Sequence, residues 1–420
     1  MSAVPKGWRS AALGDVCRVV SGATPKTSEP AFWGGDVEWI TPNDMSKDRS
    51  QVLFAGERSL TSAGFASCSA QMFPAGSIIV SSRAPVGYVA IAGREMCTNQ
   101  GCKTASPPDY IEPKFLYWFM VNAKPDLAAR ASGTTFKEIS GKRFAETRIW
   151  WPDLAEQRRI VAILEEHLSD LDKASASLSA AEAKSIAMVA AARRTAVERA
   201  VALGEPSTVG QHAVLVEYGS SQKAHEIAEE GDIPVLRMGN IQGGHLQFAP
   251  LKYLSADAPG VSGLILARGD LLFNRTNSAE LVGKSAVFDV DTKATFASYL
   301  IRVRFDSSVR PEWANIVVNS PQGRAYVATI ASQQVGQANV NGTKLRSFPL
   351  AVPPLRVQGE LIQTLGDIAT AASRLRGETS RGVVRASSLR RAVLTAAFSG
   401  RLTGRSSDTD VISELTEEPA

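Results

Sequence analysis

The sequence predicts an α+β protein made of one unit written twice: two similar α/β globules separated by two long α-helices that pair as an antiparallel coiled coil. Three observations predict it. A collinear match joins the two halves of the chain, so that Pro152, Leu154 and Gln157 meet Pro353, Leu355 and Gln358. Composition alternates between stretches rich in Gly, Pro, Ser and Thr (1–152 and 205–353) and Pro-free stretches dense in Ala, Leu, Arg and Glu (154–204 and 355–404). Within the Pro-free stretches apolar residues recur seven apart, the seam of a coiled coil.

Taken in chain order, Leu13-Gly14-Asp15 matches Val209-Gly210-Gln211, and Trp39-Ile40 matches Val235-Leu236. Ala75-Gly76-Ser77-Ile78-Ile79 matches Arg268-Gly269-Asp270-Leu271-Leu272, after which Arg83 pairs with Arg275. Short β-like runs fall at Ser77–Ser81, Gly87–Ile91, Asp270–Phe273 and Tyr299–Val303. Pro113–Ala123 and Pro311–Ser320 read as matching short helices, each opened by a proline whose missing N–H costs nothing there. In the first long helix Leu164, Leu171 and Leu178 form the seam, with Ile160 and Leu168 between; in the second, Leu361, Ile368 and Leu375, with Leu365 between. The heptads falter after Leu178 and Leu375, as a stutter produces. Gly204 and Gly400 stand where a helix C-cap is expected. Each helix, at about 1.5 Å per residue, spans on the order of 65–70 Å. Pairing should cover both seams and place the globules at opposite ends. The domains are therefore 1–152 and 205–353 (globules), 153–204 and 354–404 (helices), and 405–420, an acidic tail expected to be disordered.

The 420 residues, 44% apolar and 21% charged, suffice for sizeable cores. A net charge of +4 excludes a histone-like or polybasic protein and still permits a basic face. Cys17, Cys68, Cys97 and Cys102 are too few and scattered for a disulfide framework and suit a reducing cytosol. The opening residues hold no apolar stretch of the signal-peptide kind, and Phe115–Val121 is too short to span a bilayer, so a cytoplasmic location without membrane contact is expected.

A globule, a proline-bounded entry into Leu154-Ala155-Glu156-Gln157-Arg158-Arg159-Ile160, a long helix, and the whole repeated: this resembles the specificity subunit of type I restriction–modification enzymes. The resemblance is carried by Trp151–Ile160, Val352–Gln358, the closing Leu389–Leu402, the opening Trp8–Val16, and the blocks Gly76–Arg83 and Gly269–Arg275. It covers residues 7–404, departing at Val357 and Gly359, where the family usually shows Glu and Arg or Lys. The resemblance implies a non-catalytic subunit. Two target-recognition domains each read one half of a split site in double-stranded DNA. The paired helices act as a ruler and dock two methyltransferase subunits, and restriction (translocase/nuclease) subunits join that core.

Motifs for other chemistry are weak. Val282-Gly283-Lys284-Ser285 ends like a phosphate-binding loop, but Ser278 stands where its leading glycine belongs. Ser106-Pro107-Pro108-Asp109-Tyr110 has the prolines and aromatic of a base-holding motif with Asp109 intruding, and reads better as a turn before the Pro113 helix. Glu182 and Lys184 have nuclease-like spacing on a solvated helix face. Cys97 and Cys102 lack a partner pair, and His167, His212, His225 and His245 lack ligand spacing, so neither metal nor cofactor is expected.

What recurs is a polar set on loops beside strands. In the first copy it comprises Thr24, Lys26, Thr41, Asn43, Ser82, Arg83, Asn99, Gln100, Lys103, Thr134, Thr135 and Lys137. In the second it comprises Arg237, Asn240, Asn274, Arg275, Thr276, Asn277, Lys284, Gln333, Gln334, Gln337 and Asn339. Arg matches the guanine edge and Asn or Gln the adenine edge, while Lys, Ser and Thr suit phosphates; the same residue types also cap turns. An enzyme fused to recognition domains should repeat an acid, base or nucleophile in both copies, and none repeats. A coiled-coil scaffold whose globules bind protein remains the third reading.

Overall fold

The computed structural model describes residues 4–83, 85–133, 137–334 and 337–402, with the backbone alone for Gln333 and Gln334. The expected tail, 405–420, and Thr134 and Thr135 lie outside the described residues. The chain divides into two units, Met1–Leu178 with Arg381–Ala420, and Ser179–Ser380. Each unit holds one globule, the start of the helix that leaves it, and the end of the other long helix. Both divisions fall within the long helices, the first of them at Leu178, where the heptads falter.

The two globules share one strand plan. In the first, a five-stranded sheet runs Arg18–Ser21, Cys102–Ser106, Ile78–Ser81, Val89–Ala92, Val52–Leu53. In the second, four strands follow the same order, Ala213–Tyr218, Leu300–Phe305, Leu271–Asn274, Ser285–Val287. A three-stranded sheet accompanies each, with an antiparallel edge and a parallel edge. Trp39 and Ile40 lie beside Cys97 and Thr98, as Val235 and Leu236 lie beside Thr295 and Phe296. The central strands are apolar on both faces and fully covered, as in buried sheets.

The same place in the two cores is polar by different means. Ser77 and Ser106 join hydroxyls at 2.8 Å. In the second copy Asp270, fully buried, takes two bonds from Arg304, at 2.8 and 3.0 Å, and faces Arg302 at 3.7 Å. Arg302 itself is buried and also pairs with Glu217.

The short helices form at Pro113–Asn122 and Pro311–Val318, and the long ones at Leu154–Leu203 and Leu355–Phe398. The long helices pair. In the first unit Ile160, Leu164 and Leu168 are buried with Val393, Leu394 and Phe398, Leu171 packs at the margin, and Leu178 leans on Gly382. In the second, Leu361 and Leu365 are buried and Ile368 half-buried.

Leu375 corrects the expected seam: its residue is 42% exposed. The buried line of this helix runs Leu365, Ala372, Thr379, Ala386, Val393, still seven apart but small in its middle. Small side chains let backbones approach closely, and a Leu at that depth would be overpacked. The hydroxyls of Thr379 and Ser185 cost nothing there, because each bonds a carbonyl of its own helix.

One glutamine fastens each helix to its globule. Gln157, fully buried, accepts the Glu112 N–H at 2.8 Å and donates to the carbonyls of Tyr110 and Pro152, both at 3.0 Å. Gln358 accepts the Arg310 N–H at 2.9 Å and donates to Ser308 and Pro353 at 2.9 and 2.8 Å. Each therefore satisfies three backbone groups, two before a short helix and one before the long helix. Gln157→Ala and Gln358→Ala orphan those groups, and each is expected to lower unfolding free energy by about 2–3 kcal/mol in denaturant titration.

Candidate nucleic-acid interface

At one end of the first globule several loops meet on backbone contacts. Gly22 leaves its strand so close to the neighbouring turn that a Cβ there would stand 2.2 Å from the Thr98 carbonyl oxygen and 2.1 Å from that of Asn99. Asn99 donates its N–H to Ile40, and its side chain accepts from Gly101 at 2.9 Å. Ser82 donates its N–H to Gly101 at 2.7 Å and accepts from Ile139 at 3.0 Å. Thr24 Oγ1 donates to Gln100 Oε1, and Lys103 Nζ donates to the Gln100 carbonyl at 3.0 Å. Glu138 faces both Arg83 at 3.5 Å and Lys103 at 3.9 Å. The fold thus gathers Thr24, Ser82, Arg83, Asn99, Gln100 and Lys103 into one cluster.

The second globule repeats this frame. A Cβ on Gly219 would stand 2.3 Å from the Phe296 oxygen and 2.4 Å from that of Ala297. Arg275 donates its N–H to Tyr299 and accepts from Val340. Its guanidinium lies over the Tyr218 ring, 4.8 Å from the centroid, and reaches Ser298 O and Asn339 Oδ1, each at 3.5 Å. Asn339 in turn donates to Thr276 Oγ1 at 2.9 Å. Among the described residues no carboxylate lies within ion-pair distance of Arg275, whereas Arg83 has Glu138.

Shared bonds correct the register of the two arginines. Ser82 and Arg275 accept from Ile139 and Val340, and donate to Gly101 and Tyr299, so they are counterparts. Arg83, opposite Glu138, corresponds to Thr276, opposite Asn339. A slip of one residue turns an extended side chain to the other face, so Arg83 and Arg275 are not equivalent groups.

Other expected residues are spent inside the fold. Thr41 and Asp44 form a reciprocal helix cap. Asn240, buried, accepts from Arg237 N–H and donates to Gln247 and Pro250 carbonyls. Asn274 donates inward to Leu281 O, and Asn277 accepts the Ser278 N–H. Lys26, Asn43, Lys137 and Gln337 are exposed, and Arg237 and Lys284 half-buried. Gln333 and Gln334 lie on a strand paired with Gln337–Asn339.

Sequence reasoning missed Tyr218, Glu138 and the glycines Gly22 and Gly219. The glycines carried a signal, since both follow the first strand of the main sheet in the shared register.

The remaining motifs settle as turns and core. Ile111 N–H returns to Pro108 O, closing the expected turn before the Pro113 helix. Burial pushes the thiols of Cys17 and Cys97 up to about 12 and raises that of Cys102, as suits small core residues and not nucleophiles. Among the described residues no group of three or more His, Cys, Asp or Glu is placed to hold a metal, and no helix is long and apolar enough to cross a membrane.

One backbone frame, built twice and dressed with different polar side chains, defines a class: a duplicated recognition module. Residues 5–178 match the family model described as the type I restriction modification DNA specificity domain. The specificity subunit of the type I restriction enzyme MjaIX of Methanocaldococcus jannaschii is 37% identical over 38% of each chain. That of StySPI from Salmonella potsdam is 22% identical over 98% of this chain and 93% of its own. In a solved structure of a type I restriction–modification system, one chain superposes with a TM-score of 0.75, covering 95% of this chain and 100% of that one at 18% identity, a likeness of fold. Residues 5–178 thus carry a type I restriction modification DNA specificity domain, and the chain along its whole length is similar to the specificity subunits of type I restriction enzymes.

Lys103 carries a pH signature. Burial lowers its pKa, outweighing the attraction of Glu138. A lysine whose folded pKa lies below its unfolded one destabilises the fold while protonated, and the cost fades as pH climbs towards the ordinary 10.5. Lys103→Met is therefore expected to melt higher than the wild type near pH 7, with the gap closing towards pH 10; thermal unfolding across pH checks it.

Proposed function

We propose that the chain selects a bipartite sequence in double-stranded DNA, with the 1–152 globule reading one half-site and the 205–353 globule the other. The paired helices dock two methyltransferase subunits and set the spacing of the half-sites, and restriction subunits join this core. The observation that carries the reading is the repeated frame with diverged side chains. An enzyme duplicated in this way would keep its acid or nucleophile in both copies, whereas a reader of two different half-sites must change its contacts.

Within the second frame Arg275 is the prime reader: its guanidinium lies over the Tyr218 ring, and among the described residues no carboxylate is within ion-pair distance of it. That arrangement suits the two acceptors of a guanine edge. Asn339, Gln337 and Asn277 stand on the paired strands beside it. In the first frame Gln100 and Asn99 occupy the turn, and exposed Lys26 and Lys137 suit phosphates. Localisation in the cytoplasm follows from DNA as the ligand.

Exchange of residues 205–353 for the corresponding globule of another family member, followed by methylation-site mapping with the partner subunits present, should change one half of the modified site only. Change in both halves would show joint reading and overturn the division. Arg275→Ala is expected to relax specificity at one position of that half-site, costing about 1–3 kcal/mol in affinity for the preferred base.

A further inference from the structure

The two units differ where a long helix passes its globule, and the difference leaves one charge unanswered. In the first unit Arg390 pairs with Asp172, and Glu165 pairs with Lys114 at 2.9 Å. In the register that matches Gln157 with Gln358, Asp172 meets Ser373 and Glu165 meets Gly366. In the register that matches Arg194 with Arg391, Arg390 meets Arg193. The second unit thus keeps the arginine and has lost both carboxylates from the facing helix.

Arg193, Gly366 and Ser373 line one cleft of 840 Å³ in the second unit, walled on another side by the hairpin that carries His245. Among the described residues the Arg193 guanidinium meets no hydrogen-bond acceptor and no carboxylate, and burial pushes its pKa down. Arg324 and Arg376 line the same cleft, and Arg324 donates to the carbonyls of Val282 and Glu280. Asp289 and Glu312, both exposed, line an adjoining recess of 390 Å³ that shares Arg193, and neither comes within ion-pair distance of it. A half-buried cation facing no anion is a cost that a ligand's negative group would remove.

We propose that this cleft is an anion-binding site peculiar to the second unit, and that it takes a carboxylate side chain from an acidic, partly apolar polypeptide segment of a partner. The first unit shows the fit, since Asp172 answers the counterpart arginine from the same place on the helix. The walls favour a peptide: Ile186, Val189, Ala190 and Ala369 offer apolar surface. A nucleic-acid strand is held instead by many spread cations that release counterions. The site stands on the cleft alone and is independent of the DNA reading.

The test is calorimetric titration of the full chain with a short blocked peptide of Glu, Asp and Leu, beside thermal melts. Saturable binding is expected, weakened on the order of tenfold by Arg193→Met. Ser373→Asp should weaken it similarly while raising the Tm, because it supplies the carboxylate internally and keeps the arginine. Arg390→Met, in the other unit, and Glu312→Gln should leave binding intact. The proposal is overturned if the peptide does not bind or binds both cleft variants as well as the wild type. It is also overturned if Ser373→Asp lowers the Tm, if Glu312→Gln abolishes binding, or if duplex DNA of arbitrary sequence displaces the peptide.

Discussion

Two buried glutamine side chains fasten the long helices to the globules. A carboxamide offers an acceptor and two donors in one plane, and Gln157 and Gln358 use all three functions on backbone groups. Those groups belong to the loop before a short helix, the residue that caps that helix, and the proline two residues ahead of the long helix. A single residue thereby ties each long helix to its globule by three hydrogen bonds. Neither Glu nor Leu could replace it, since one would bring a buried charge and the other would abandon the backbone groups.

The second constraint is the close approach at Gly22 and Gly219. Any side chain would collide with carbonyl oxygens of the adjoining turn, so the strand end and the turn are locked together. This is what lets the readers diverge. The frame is held by backbone hydrogen bonds and glycine contacts, so the side chains of Ser82 and Arg275, or Glu138 and Asn339, can differ without loss of the loop geometry. Function varies on loops while the scaffold persists.

Divergence also reached the core and the helix faces. Where the first copy has a hydroxyl pair at Ser77–Ser106, the second has a buried charge network around Asp270, so satisfied polar groups are shared and their chemistry is not. In the middle of the second long helix the buried line is Ala372, Thr379 and Ala386 in place of leucines. Leu375 turned out into solvent as a result, which a heptad count keyed to leucines could not register.

By itself the sequence determined the duplication, the two long helices, the proline-opened short helices and the resemblance to a known family, because each rests on local spacing or on residues matched in order. It also determined that no catalytic set repeats. Only the tertiary structure decided which polar residues face outward. Thr41 and Asn240 have the composition of readers but are consumed by caps, while Tyr218 gains its role only because a strand distant in sequence brings it under Arg275. The register of Arg83 against Arg275 was likewise settled by hydrogen bonds from Ile139 and Val340, residues far along the chain. Periodicity and order are local properties of a chain. Burial, partner choice and the direction of a side chain are made by segments that meet only when it folds.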